Sequence, residues 1–197
     1  MSNDLQYASV FRPGLFAGRT ILVTGGGSGL GRCTAHELKS LGARLAIAGR
    51  TQEKLDRVKE ELGDPDTFTF ATDLRREEGV EAMVDGVLAW SGGRIDGLVN
   101  NASNFYATPV GTINEDQWID LMGTNLLAPL FLCQAAVPYL KKQGGAIVNI
   151  VDIHAERPLE GHVTYSIAKA GLVGLTRRPS FVAPGSTSCM NSRRFGP

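Results

Sequence analysis

The sequence predicts an α/β protein built on a doubly wound parallel sheet, and three observations carry that expectation. Five short apolar runs, TILVT (20–24), RLAIAGR (44–50), FTFAT (68–72), GLVNN (97–101) and AIVNIVD (146–152), have strand length. Segments with helical spacing alternate with them, at 32–43, 51–63, 75–91, 114–142 and 163–178. Every polar or glycine-rich motif falls just after a strand or on the helix that follows it, where ligands of such sheets bind. Parallel strands need helical crossovers, which cover both sheet faces and are expected to be right-handed.

The elements follow in order. The first run ends in glycines, and the helical spacing of RCTAHELKSLGA stops at Gly42. In 51–63, Thr51 stands at the cap position, Leu55, Val58 and Leu62 share one face, and Gly63 closes the helix. NLLAPLFLCQAAVPYL (125–140) is the most apolar run, but it is too short to cross a bilayer and contains Asn, Gln and two Pro, so it reads as a buried helix. Order breaks at Arg177. RRPSFVAPGSTSCMNSRRFGP has no periodicity and has prolines at 179, 184 and 197, so residues 178–197 are expected to form an irregular tail. The expectation is one domain over 1–197.

Composition narrows the function classes. Lys plus Arg and Asp plus Glu both number 20, a balance that gives no field for nucleic acid or an anionic membrane. A small-molecule substrate is the expected partner. Cys33, Cys133 and Cys189 are an odd number without a CxxC pair, which argues against a disulfide framework or a zinc site. The histidines, His36, His154 and His162, have no ligand cluster around them, so no metal is expected. His36 is placed on a helix facing the sheet, and His154 and His162 in the loop before Tyr165. The opening MSNDLQYASVFRPG lacks a basic stretch followed by an apolar one, so a cytoplasmic protein with reduced thiols is expected.

Two motifs point to a nucleotide. Thr24-Gly25-Gly26-Gly27-Ser28-Gly29-Leu30-Gly31 lies between the first strand and its helix, where glycines let the backbone approach a pyrophosphate and the helix N-terminus offers free N–H groups. A tight structural turn would use glycines too. Arg50 ends the second strand where a carboxylate would bind the ribose hydroxyls of NAD. A guanidinium there forks onto the extra phosphate of NADP, unless it is only a solvated strand end.

Tyr165 and Lys169 stand four residues apart, on one face of a helix. A phenol titrates near 10, so a tyrosine exchanges protons near neutrality only with a cation beside it, which Lys169 is expected to supply. Thirteen residues before Tyr165 stands Asp152.

In TGGGSGLG (24–31), TDL (72–74), NNA (100–102), Asn125 and YSIAK (165–169), in that order, the chain from about 18 to 177 resembles the short-chain dehydrogenase/reductase family. The resemblance implies a Rossmann-like fold and a nicotinamide cofactor, here NADP. It implies that Gly25, Ser28, Gly29, Leu30, Gly31 and Arg50 meet the cofactor phosphates and ribose, that Asp73 and Leu74 border the adenine, and that Asn101 and Ala102 lie near the ribose. Tyr165 and Lys169 would be catalytic and would also touch the cofactor, with Asn125 in the proton relay.

Most of the family has a serine where this chain has Asp152. The second half is most similar to pteridine reductases, which carry an aspartate there, and the likeness extends to NNASNFYATPV (100–110). It implies hydride transfer from NADPH to a C=N bond of a dihydropterin or dihydrofolate. Asp152 would orient the ring, Ser103 would line the site, and Phe105 would stack on the ring or else pack the loop on the sheet. Gly29 stands where those enzymes usually carry an arginine. A carbonyl or enoyl reductase, or an inert nucleotide-binding protein, are the alternatives. Family members usually continue past the helix that bears Tyr165 and Lys169 with two further strands and helices, so the resemblance implies a shortened C-terminal end; in the family, helices 114–142 and 163–178 pack between subunits, which implies a homo-oligomer if that short end permits it.

Overall fold

The computed structural model of the chain describes residues 9–177 and the backbone of 189–190. Six parallel strands form one sheet in the order β3-β2-β1-β4-β5-β6. They are β1 (Thr20–Thr24), β2 (Arg44–Gly49), β3 (Phe68–Ala71), β4 (Gly97–Asn100), β5 (Ala146–Asn149) and the two-residue β6 (Cys189–Met190). The helices are α1 (Gly29–Ser40), α2 (Gln52–Leu62), α3 (Glu77–Ser91), α4 (Glu115–Met122), α5 (Ala128–Gln143) and α6 (Val163–Arg177).

Side chains of the central strands alternate between two cores, as they must when both sheet faces are covered. Ile21, Val23, Leu45, Ile47 and Val99 pack with Ala35, Leu55 and Val58 of α1 and α2. Leu22, Ala46, Leu98 and Ile147 pack with α3 and α5 through Val80, Met83, Leu132 and Ala136. The chain reverses its strand order between β1 and β4, which opens a crevice above their carboxyl ends. Both motif-bearing turns reach that crevice.

The structure refines several expectations. Helix α1 begins at Gly29, three residues before the predicted start, so it rises directly from the glycine loop. β3 is half-buried, not buried, because it is the sheet's edge strand. Thr51 occupies the N-cap position of α2 without a side-chain capping bond, while Gly63 closes that helix at φ 60° as expected. His36 lies on α1, which packs on the sheet as expected, and its Nε2 meets Glu61 of α2 at 3.2 Å. Cys189–Met190 pairs with β5, and the rest of the 178–197 tail lies outside the described residues.

The apolar run at 125–140 is part of a longer rod. Residues Glu115–Gln143 are continuously helical over 29 residues, long and apolar enough to cross a membrane by length and composition alone. Leu132, Cys133, Ala136 and Leu140 nevertheless sit in the core, so the rod packs as an internal helix. A π-helical turn at Gly123–Leu127 joins α4 to α5, with the Ala128 N–H donating to the Gly123 carbonyl.

Candidate active site

One hydroxyl ties the start of the glycine loop to the end of β4. Thr24 Oγ1, at the end of β1, accepts from the N–H groups of Asn101 at 3.0 Å and Ala102 at 3.1 Å, and donates to the Val99 carbonyl at 3.3 Å. The Asn101 amide adds a bond to the Thr24 carbonyl at 2.9 Å. Gly25 has φ +67°, and a Cβ at Gly31 would stand 2.2 Å from the Gly25 carbonyl oxygen. Side chains are thus excluded from the cradle by backbone contact. Ser28, the N-cap of α1, makes no side-chain capping bond, which leaves the first-turn N–H groups open to an anion.

From this cradle a cleft runs toward β2 and β3, lined by Ser28, Arg50, Lys54, Asp73, Leu74 and Arg75 among others. Arg50 and Lys54 have no hydrogen-bond or ion-pair partner among the described residues, so two free cations stand over the far end. Arg75 is committed. It forks onto Asp73 at 2.6–3.0 Å and reaches Asp120 at 2.8 Å. The guanidinium holds the Asp73 carboxyl down at about 2, against the opposing effect of burial. Asp120 in turn accepts from the Asn104 amide at 2.9 Å and the Tyr106 hydroxyl at 3.0 Å.

The second branch of the cleft leads to α6. Gly25, Ser28, Ala102 and Ser103 line both branches; Leu30, Asn101, Asp152, Tyr165 and Lys169 line only the second. The Tyr165 hydroxyl donates to Asp152 Oδ2 at 2.9 Å. Lys169 Nζ donates to the Ile150 carbonyl at 2.9 Å and stands 5.6 Å from the centroid of the Tyr165 ring. The spacing of the two residues suggested that the ammonium would acidify the phenol, and the structure corrects this. Burial, followed by the Asp152 carboxylate, pushes the Tyr165 pKa well above its ordinary value. Burial lowers Lys169 to about 8, with Asp152 resisting the shift. Burial alone would raise Asp152 also, but bonds from the His154 N–H and the Tyr165 hydroxyl outweigh it and hold the carboxyl below its usual range.

Asn125 lies behind the cleft rather than in its wall. It is fully buried in the π turn, accepts from the Ser103 hydroxyl at 2.6 Å, and spends its amide hydrogens on the carbonyls of Asn104 and Leu121. It reaches the Tyr165 side only through Ser103. Phe105 is half-exposed, stacked on His162 at 4.6 Å with its edge toward Tyr165 at 4.9 Å. A parallel bridge between Thr108 and His162 ties its loop to the segment before α6. Gly29 and Gly31 stand outside both cleft walls, Gly31 packed against the Gly25 carbonyl and Gly29 in open space at φ +51°.

Four residues in or beside this site are assigned no role from the sequence. Lys54 is one helical turn beyond Arg50, a spacing that could have disclosed it. Arg75 directly follows the TDL motif, and Thr24 precedes the glycines. Asn104 gave no local signal.

The sheet order, the glycine turn at its reversal and the Tyr165–Lys169 pair beside it together define a doubly wound α/β domain with its ligand crevice at the point of reversal. Comparison with known proteins gives the family: the profile described as short chain dehydrogenase matches residues 19–181, and the chain belongs to the short-chain dehydrogenase/reductase family. A probable galactose dehydrogenase of Rhizobium meliloti is 35% identical over 164 residues, covering 81% of this chain and 63% of that protein. A short chain dehydrogenase/reductase of Aspergillus oryzae is 35% identical over 167 residues, with the same coverage of 81% and 63%. The chain therefore spans less than two thirds of these relatives' length. Among solved structures, the citronellol catabolism dehydrogenase of Pseudomonas aeruginosa superposes with a TM-score of 0.81 at 38% identity, covering 88% of this chain and 72% of that one. A metagenomic short-chain oxidoreductase in complex with NADP gives 0.77 at 34% identity, covering 82% and 74%.

Proposed function

We propose that the chain is an NADPH-dependent reductase that delivers hydride to a C=N bond of a dihydropterin- or dihydrofolate-like ring. The observation that carries this reading is the 2.9 Å bond from the Tyr165 hydroxyl to Asp152, in a cleft continuous with the glycine cradle. The cradle fits a pyrophosphate: Gly25 lines it at φ +67°, where a Cβ would crowd Asn101 and Ala102, and the N-terminus of α1 opens onto it. Gly25, Ser28 and Leu30 would hold the phosphates and Arg50 the 2′-phosphate, with Leu74, Asn101 and Ala102 along the nucleoside. When bound, the reduced nicotinamide supplies the hydride.

The chain's own residues supply the rest. Tyr165, kept protonated by its raised pKa, is the proton donor. Lys169 stabilises the phenolate left behind. Asp152 accepts from the amino and ring N–H groups of a pterin, which a serine could do with only one oxygen. Ser103 and Asn125 brace the loop, and the face of Phe105 away from His162 offers a shelf for a flat ring. Exposed Trp118, Ile119, Leu127 and Ile167 on the rod and α6 favour a homo-oligomer through those helices. A cytoplasmic location accords with this chemistry.

A carbonyl substrate is the second reading, favoured by the names of the relatives, which are dehydrogenases of galactose and of citronellol catabolism. One assay separates the readings: NADPH absorbance is followed with dihydrobiopterin, dihydrofolate and a simple ketone in parallel. Turnover of the pterin, lowered by Asp152→Ser far more than NADPH binding is, supports the first reading. Turnover of the ketone alone supports the second. Coenzyme binding without any turnover marks an inert protein.

A further inference from the structure

We propose that Asp120 is a positioning residue for the substrate, a carboxylate on α4 that anchors the loop carrying Ser103 and Phe105 and so fixes the surface on which the ring lies. This rests on the reading above, in which a flat ring takes the free face of Phe105.

The loop that follows β4 sends neighbouring side chains to different walls. Ser103 lines both branches of the cleft, and Phe105 turns its edge to Tyr165 at 4.9 Å. Asn104 and Tyr106 go instead to Asp120. The Asn104 amide donates to the two carboxylate oxygens at 2.9 Å and 3.0 Å, and the Tyr106 hydroxyl donates to Oδ2 at 3.0 Å. Asn125 holds the start of the loop through Ser103 and the Asn104 carbonyl, but beyond that point the carboxylate takes over. Phe105 stands between two residues that one acid holds, so its place follows from theirs.

Every group that meets Asp120 is a donor. Arg75 Nη1 reaches Oδ1 at 2.8 Å beside the amide and the phenol. Burial, followed by Asp120, raises the Tyr106 pKa, so that hydroxyl keeps the hydrogen it donates. Two carboxylate oxygens can accept from all three groups, whereas an asparagine has one acceptor and sets an amino group against the others. The alternatives nearby are longer: Asn104 has the Thr124 hydroxyl at 3.2 Å, and Tyr106 the Gln117 carbonyl at 3.4 Å.

The anchor is itself fixed from the other branch of the cleft. Arg75 forks onto Asp73, which lines that branch, and its methylene chain lies against Gly123, where a Cβ would stand 3.1 Å from Arg75 Cγ. The Asp120 side chain is 23% exposed, so water screens these bonds only in part.

Without the carboxylate, the loop gains other conformations and Phe105 is in place for only a fraction of the time. A ligand that needs the ordered loop then binds more weakly by that fraction, while the chemistry of an occupied site is unchanged. The signature is a raised KM at constant kcat. A fold merely loosened by the change would lose active protein instead, which lowers kcat and leaves KM alone.

The test is steady-state reduction of dihydrobiopterin by NADPH with the parent chain, Asp120→Asn and Tyr106→Phe. Asp120→Asn should raise the pterin KM roughly 10-fold, with kcat and the NADPH dissociation constant within about twofold of the parent. Tyr106→Phe removes one anchor and keeps the charge, so it should raise KM about 3-fold, and the double variant should go little beyond Asp120→Asn alone. An unchanged KM, or an NADPH affinity that falls as far as the pterin affinity, overturns the inference; Tyr106→Phe decides alone if Asp120→Asn does not fold. If the parent reduces no pterin or folate, the reading under Proposed function fails instead, and fluorine NMR of the chain labelled with 4-fluorophenylalanine judges the anchor. The Phe105 signal, identified by its loss in Phe105→Leu, should shift or broaden in Asp120→Asn; a signal indifferent to that change overturns the anchor as well.

Discussion

The Lys169 ammonium is bound to the carbonyl of Ile150 at 2.9 Å, and the hydroxyl of Tyr165 is bound to Asp152 instead. The two motif residues share a helix face without sharing a hydrogen bond. Their charge states therefore follow from burial and from Asp152, and the first predictions test that.

Lys169 is held charged in a buried site with its pKa lowered to about 8. Between that value and 10.5 the unfolded chain binds a proton that the folded chain has lost, so this group makes stability rise with pH through that window. Below about 8, both states are protonated and the folded chain bears the full cost of the buried charge. Lys169→Met should raise the melting temperature at pH 7 by several degrees and flatten the slope between pH 8 and 10, while abolishing turnover. Thermal unfolding across that range measures it.

Asp152→Asn keeps an oxygen beside Tyr165 but removes the charge. The phenol should then ionise at lower pH, because the carboxylate is, after burial, the main cause of its raised value. Difference absorbance of tyrosinate against pH reads the change directly. An unaltered titration would show that burial acts alone.

Two neighbouring glycines should behave differently. Gly31→Ala places a Cβ 2.2 Å from a backbone oxygen, so the loop must move, at about 1–3 kcal/mol and with loss of NADPH binding. Gly29→Ala meets nothing within 4 Å, and costs only its φ of +51°, about 1 kcal/mol. Coenzyme affinity should survive in the second variant. Fluorescence titration with NADPH beside a melting curve separates the two.

Arg50→Asp should weaken NADPH by roughly 10²-fold, equivalent to about 3 kcal/mol of lost charge-assisted bonding, and leave NADH nearly untouched. Equal affinities of the parent chain for both coenzymes would refute the role.

Arg75→Met leaves Asp73 and Asp120 without their shared cation. Asp73, depressed to about 2 in the fold, contributes stability that is present above its ordinary 3.8 and lost as pH falls through 2. With the guanidinium gone, that contribution disappears. All three side chains are about one-quarter to one-third exposed, so the loss should be near 1 kcal/mol. Acid unfolding of parent and variant gives the comparison.

The pattern of legibility in the sequence has physical reasons. The central strands stood out because parallel strands buried on both faces carry short apolar runs, as Ile21-Leu22-Val23 and Leu98-Val99 do. The edge strand FTFAT looked the same in sequence, because its partial exposure comes from its place in the sheet and not from its residues. The cradle and the Tyr165–Lys169 face follow from local spacing and were legible. The partner of Lys169 was not, since it is a main-chain carbonyl beyond β5 that only tertiary structure brings near. The Asp73–Arg75–Asp120 network likewise joins segments 45 residues apart, beyond the reach of any local pattern.

The π turn at Gly123–Leu127 carries a consequence for how this rod tolerates change. Its surplus residue shifts the angular phase between the two halves by about 100°. The turn itself aims Asn125 at Ser103 and Asn104 while the half that follows lays Leu132, Ala136 and Leu140 against β4 and β5. Deleting one residue there would restore an ordinary helical period and force a choice between the two alignments. Insertions and deletions in this stretch should therefore be more damaging than substitutions of equal size.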